Sequence, residues 1–346
     1  MKALVTGGGG FLGKAVTKAL IDRGDDVCTF ARGDYPELRT LGATHLRGDV
    51  GDLEALTAAV TSCDVVFHVA SLVATFGKRE DFVRINVEGT RNVTRACIAQ
   101  GVRNLVFTST PSVVHSDKDA CGIDESAPYP ESFLCHYFWS KALAEKEVLA
   151  QNGAALAPAY VDKGPLRVVA LRPHAIFGPG DTSLFPWLIA RAKSGRLRII
   201  GSGATQIDWT YVDNAVDAHL LAADALCKDP CPCAGKAYFI ANDEPVNPWV
   251  FFNGILQALD VAPISRKVPL GLAKAMGRMA EGVWSTFALK GEPPGTRAMA
   301  SVLGTSHFFD LSAAKRDLGY RPRVSLAEGV ERTVPWLKRE IAAGRI

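Results

Sequence analysis

Four consecutive glycines, Gly7 to Gly10, stand between a short apolar run, Ala3-Leu4-Val5, and a helical stretch from Lys14 to Arg23 that Gly24 ends. With Gly13 they give Gly7-x-x-Gly10-x-x-Gly13, the spacing that opens a dinucleotide cradle. Gly7 permits a tight turn, Gly10 lets backbone approach a pyrophosphate, and Gly13 lets helix and strand pack closely. Phe11 and Leu12 of the loop are assigned to the same cofactor site, and the helix that follows turns free N–H groups and its positive dipole end to the phosphates. The pattern alone is common. Its place after the first strand and before the first helix gives it weight.

Beyond it, short apolar runs alternate with helical stretches: Val27 to Phe30, His45-Leu46, Val65 to Val69, Leu105 to Phe107 and Arg167 to Leu171. This predicts an α/β fold with a doubly wound parallel sheet, the Rossmann arrangement, which binds ligands at the carboxyl ends of its strands. After Pro173 glycine and proline become frequent, as in Gly178-Pro179-Gly180. Residues 1–173 are expected to form the nucleotide-binding domain, joined by a return segment near 208–223. Residues 174–346 are expected to form mainly a smaller C-terminal substrate-binding lobe.

Lys and Arg number 39 against 36 Asp and Glu, a net charge of +3, which gives no electrostatic footprint for nucleic acid or an anionic membrane. Cys227, Cys231 and Cys233 lack zinc-site spacing, so no metal is expected. No run of about 18 apolar residues is present to span a membrane, and no signal sequence is expected. A reducing cytoplasm is the expected location. Leu270 to Leu289 carries Leu272, Met276, Met279, Val283 and Phe287 at helical spacing. The simplest expectation is a helix packed on the rest of the protein; a lid over an apolar pocket and a lipid-contacting surface remain open.

At the end of the second strand, where a carboxylate usually bonds the ribose 2′-hydroxyl, stands Arg32. A guanidinium there pairs with a 2′-phosphate, which favours NADP(H) over NAD(H), although Asp34 lies close by. Asp49, after the third strand, is placed for the adenine amino group. Val50, Ala70 and Pro173 are assigned to the same crevice.

Tyr137 and Lys141 lie four apart in a segment of strong helix propensity, which puts phenol and ammonium on one face. The ammonium is expected to lower the tyrosine pKa and to bond the nicotinamide ribose. Ser109 and Thr110 follow the fifth strand, where a hydroxyl polarises a substrate carbonyl.

Gly7-x-x-Gly10-x-x-Gly13, Tyr137-x-x-x-Lys141 and the hydroxyl cluster resemble the extended short-chain dehydrogenase/reductases. So do Asn86-Val87-Glu88-Gly89-Thr90, Leu171-Arg172-Pro173 and Asp208-Trp209-Thr210-Tyr211-Val212-Asp213-Asn214. The segment Tyr211 to Leu220 is most similar to the 3β-hydroxysteroid dehydrogenase branch. Phe30-Ala31-Arg32-Gly33 and Thr108 to Val114 look closer still to the bacterial reductases of long-chain olefin biosynthesis, which act on a condensed β-keto acid. The resemblance implies Tyr137 as proton donor and acceptor, Lys141 as its electrostatic partner, Thr110 as the carbonyl-binding hydroxyl with Ser109 as fallback, and Asn86 as organiser of the proton path. It implies an apolar keto-acid or hydroxy-acid substrate. Pairing of two copies, and assembly with the other olefin-pathway enzymes, follow from the resemblance only. A 3β-hydroxysteroid or 4-carboxysterol dehydrogenase is the second reading. A nucleotide-sugar epimerase or dehydratase is the third, weakened because Gln206-Ile207 stands where those enzymes often carry an arginine. A non-catalytic NADPH-binding protein is the fourth, and it usually lacks the tyrosine or lysine kept here.

Overall fold

The computed structural model describes residues 1–346. Its first strand, β1 (Lys2–Thr6), shows what organises the sheet: Ala3 and Val5 point to one face, Leu4 to the other, and all three are fully buried. A strand buried on both faces needs a helical layer on each side. The remaining strands are β2 (Asp26–Ala31), β3 (Thr44–Arg47), β4 (Val65–His68), β5 (Asn104–Thr108), β6 (Arg167–Pro173) and β7 (Lys236–Ile240). They pair in the order β7-β6-β5-β4-β1-β2-β3, every pair parallel. The order reverses between β1 and β4, so the crevice opens at their carboxyl ends.

Four long helices cover the sheet: α1 (Phe11–Asp22), α2 (Gly89–Gln100), α3 (His136–Ala150) and α4 (Val212–Leu226). Val16 and Leu20 of α1 and Ala218 and Ala222 of α4 pack on one face. Val93 and Ala96 of α2 and Ala144 and Val148 of α3 pack on the other. The later part of the chain re-enters this body further than residues 208–223. Besides α4 it supplies the edge strand β7, paired with β6 from Lys236↔Val169 to Ile240↔Pro173. The strand follows Cys231-Pro232-Cys233-Ala234-Gly235, whose turn chemistry masked so short a run. A separate apolar cluster around Phe177, Phe185, Trp209, Trp249 and Phe252 gathers within the C-terminal half.

α5 (Leu270–Thr286) is a helix packed on the segment that follows it, as expected, but not through its apolar stripe. Only Gly277 is buried, because a Cβ there would stand 2.7 Å from the backbone of Thr296 and Arg297. The apolar stripe instead faces solvent, with Met279 67% and Phe287 70% exposed. No helix is long and apolar enough to cross a membrane.

Candidate active site

The glycine loop is built by close backbone approach. Gly7 has φ +72° and donates its N–H to the Phe30 carbonyl at 2.8 Å. A Cβ at Gly7 would lie 2.8 Å from the backbone of Ala70, so the loop and the end of β4 press together. A Cβ at Gly13 would meet the Gly7 carbonyl at 2.1 Å. Gly10 caps α1 without a side chain, and no acidic residue occupies the first turn. The helix therefore presents free N–H groups and an uncompensated positive end, as a pyrophosphate requires. This cradle fits a dinucleotide. Leu12 runs into the core, while Phe11 lies near Gly180.

At the end of β2 Arg32 is exposed, and Arg47 donates to its carbonyl at 2.9 Å. Asp34 turns away to pair with Arg39 at 2.8 Å. Arg47 had no motif to mark it; only strand pairing, Ala31↔Arg47, brings it there. Tyr35, also unmarked, lays its ring over Gly9 and Gly33. Asp49 accepts from Gly51 N–H at 2.8 Å and pairs with Arg84 at 3.0 Å. Burial pushes its pKa up, but these two contacts outweigh it and hold the carboxyl below its usual value. Val50 is buried against Gly89, and its carbonyl accepts from Asn92 at 3.1 Å. Pro173 ends β6.

Across the crevice, Tyr137 sits in the first turn of α3. Burial pushes its pKa up to about 12, while the nearby Thr110 hydroxyl pulls the other way. Thr110 caps a short 3-10 turn, Pro111–Val114, and its oxygen accepts from Ser112 N–H. The Ser109 hydroxyl is buried with no partner. Thr110 is the hydroxyl that acts on the phenol's pKa. Lys141 is buried and donates to the Thr108 carbonyl at 2.7 Å, with its ammonium 4.1 Å from the centre of the Phe107 ring. Burial holds it down to about 7 against the pull of Glu145. From spacing alone this ammonium should draw the phenol towards phenolate. In the structure it is spent on Thr108, and burial keeps the phenol neutral.

Asn86 lies in a π-helical turn, Val83–Glu88, just before α2. Its amide donates to the Leu72 carbonyl at 3.1 Å and to Ser140 Oγ at 2.9 Å, and its oxygen accepts from Leu72 N–H at 2.8 Å. It therefore ties the loop after β4 to the helix that carries Tyr137. Two supports join residues distant in sequence. His219 of α4 bonds the Thr108 hydroxyl at 2.8 Å. Glu145 and Arg172, both buried, pair at 2.6 Å, with Tyr129 donating to Glu145 at 2.7 Å. Glu145→Ala would leave the Arg172 charge buried and alone. It is expected to cost about 3–5 kcal/mol of stability in chemical denaturation; a loss below about 1 kcal/mol would show that Arg172 finds another partner.

A cleft of about 1390 Å³ runs past this turn, lined by Leu72, Phe76, Cys135, Trp139 and, from α5, Arg278 and Ser285. Met276 and Met279 do not line it, whereas Ala288 and Leu289, just beyond α5, do.

Residues 4–270 match the 3-beta hydroxysteroid dehydrogenase/isomerase family. The chain belongs to that family. Together with the dinucleotide cradle, this makes the protein an NAD(P)-dependent oxidoreductase. It is 46% identical to a 2-alkyl-3-oxoalkanoate reductase of Shewanella oneidensis, over 95% of this chain and 84% of that one. It is 34% identical to the decarboxylating sterol-4-alpha-carboxylate 3-dehydrogenase of Mus musculus, over 96% and 90%. Among solved structures, MoeE5 in complex with UDP-glucose and NAD superposes with a TM-score of 0.74 at 24% identity, covering 99% of this chain and 100% of that one. That likeness shows the shared fold.

Proposed function

We propose that this protein reduces the 3-oxo group of a 2-alkyl-3-oxoalkanoic acid to the 3-hydroxy acid with NADPH, within long-chain olefin biosynthesis. The observation that carries the reduction is the Tyr137 phenol, held neutral near the Thr110 hydroxyl, in the helical turn whose His136 and Trp139 line a cleft of about 1390 Å³. The substrate class rests on the Shewanella relative's name.

Gly7, Gly10, Phe11, Leu12 and Gly13 would hold the cofactor's pyrophosphate, Arg32 and Arg47 its 2′-phosphate, and Asp49 and Val50 its adenine. Ala70 and Pro173 flank the nicotinamide end, and Lys141 serves the ribose there. When bound, the cofactor supplies the hydride that the carbonyl carbon takes up. Thr110 donates a hydrogen bond to the carbonyl oxygen, where negative charge develops. Tyr137 gives its proton to that oxygen. The Lys141 charge supports the phenolate left behind, and it must turn from Thr108 to do so. Asn86, through Ser140, fixes the helix that carries both.

Incubating the protein with NADPH and a 2-alkyl-3-oxo acid should yield, by mass spectrometry, an acid two hydrogens heavier. Recovery of only the keto acid and the ketone it forms by losing carbon dioxide would contradict the proposal. Arg32→Glu places a carboxylate against the 2′-phosphate and should shift the NADPH-to-NADH ratio of kcat/KM by at least about tenfold toward NADH. An unchanged ratio would move the 2′-phosphate site elsewhere. The mouse sterol relative supports a second reading, oxidation of a 3β-hydroxyl beside a carboxylate.

A further inference from the structure

The turn that carries Thr110 is weakly bonded to itself. The N–H groups of Val113 and His115 reach the Thr110 and Ser112 carbonyls at 3.3 Å each, longer than the ordinary ~2.9 Å. A 3-10 turn held by such bonds needs support from outside. His115, the residue that closes the turn, supplies it. Its ring is buried edge-on to Phe138, with 5.7 Å between centres, and Phe138 follows Tyr137 in α3. One imidazole therefore belongs to the Thr110 turn and touches the Tyr137 helix.

The imidazole is itself held in place. Its Nε2 lies 2.9 Å from Ser301 Oγ, on α6 (Arg297–Gly304). Ser301 is fully buried and hydrogen-bonded to the Asp117 carboxylate, which pairs with Lys274 of α5 at 2.7 Å. Burial pushes the Asp117 pKa up, but Lys274 and Ser301 outweigh it and hold the carboxyl below its ordinary value. An ionised carboxylate only accepts, so the one hydroxyl proton of Ser301 goes to Asp117. His115 must then donate from Nε2, which fixes its tautomer. Burial above all holds its pKa down to about 4, so the ring is neutral. Asp117, Ser301 and His115 are the residue types of a hydrolytic triad bonded in the wrong order, and Ser301 is no nucleophile. α5 and α6 form one unit, because Glu281 accepts from the N–H and Nε of Arg297 at 2.7 Å each. The same α5 sets Arg278 and Ser285 on the cleft.

We propose that His115 is a positioning residue: held through Ser301, Asp117 and Lys274 to the α5–α6 unit, it sets the Thr110 hydroxyl against the Tyr137 helix, given that these two residues serve the substrate oxygen as proposed above. The helix that lines the cleft thus bears on the groups that do the chemistry. His115 transfers no proton itself; its effect passes through the Thr110 turn.

Ser301→Ala removes the middle hydroxyl and adds no bulk. With the 2-alkyl-3-oxo acid, kcat should fall about tenfold, the worth of one hydrogen bond lost from the turn, while KM and NADPH affinity stay within about twofold. Lys274→Met, at the outer end, should also lower kcat, and Lys274→Arg, which keeps the pair with Asp117, should restore it. In a Thr110→Val background Ser301→Ala should lower kcat by less than about twofold further, since the hydroxyl it helps to position is gone. By amide hydrogen exchange, Ser112 to His115 should exchange about tenfold faster in Ser301→Ala, with the glycine loop unchanged. Wild-type kcat in Ser301→Ala or Lys274→Met beside an impaired Thr110→Val would overturn the proposal and leave the reduction standing. So would a full tenfold loss that persists in the Thr110→Val background. Wild-type activity in Thr110→Val would instead strike the role given to Thr110 in the reduction, and this proposal with it. Unchanged exchange at Ser112 to His115 would overturn the proposal whichever ketone is the substrate.

Discussion

Tyr137→Phe is expected to lower turnover of the 2-alkyl-3-oxo acid by about 100- to 10,000-fold, the usual worth of a positioned general acid. The substitution removes one oxygen. The ring keeps its place, edge-on to Phe138 at 6.0 Å between centres. The melting temperature and the affinity for cofactor should therefore hardly change. The loss should fall on kcat, because the phenol acts where the oxygen takes up charge. Activity near that of the wild type would remove Tyr137 from the chemistry. Thr110→Val, followed in the same assay, should also lose activity, since it takes the hydroxyl from both the phenol and the substrate oxygen.

Lys141→Met is expected to abolish activity and stabilise the protein at once. Folded, the ammonium is held down to about 7 by burial, against an ordinary 10.5 in the unfolded chain. Below pH 7 both states carry the proton, and the fold bears the cost of a buried cation. Between 7 and 10.5 the unfolded chain holds a proton that the folded one has released, so wild-type stability rises with pH across that window. Methionine fills much the same volume without the charge. The variant should gain about 1–3 kcal/mol at pH 6, the gain shrinking as pH rises towards 10. Thermal melting across pH tests this. A variant less stable than the wild type at pH 6 would show that the bond to Thr108 and the contact with Phe107 outweigh the burial cost.

The cradle and sheet were legible because their signals are local. Glycines at 7, 10 and 13 each answer to a backbone contact within one turn or one strand pair, and the strands are short apolar runs. The Tyr137–Lys141 spacing likewise survives in α3, although the side chain of Lys141 points where spacing could not say. What was not legible depends on partners distant in sequence. Arg172 meets Glu145 across 27 residues, and His219 meets Thr108 across 111. The periodicity of α5 was plain in Leu272, Met276 and Met279, but periodicity gives the face and not what covers it.

The central claim is that this fold reduces a branched β-keto acid with NADPH. The most direct test follows cofactor oxidation with a 2-alkyl-3-oxoalkanoic acid and a 3-ketosteroid in parallel, each with NADPH and with NADH. Rapid turnover of the keto acid, faster with NADPH, with little activity on the steroid, is the predicted result. Turnover of the steroid in preference to the keto acid, or of neither while cofactor still binds, would contradict it.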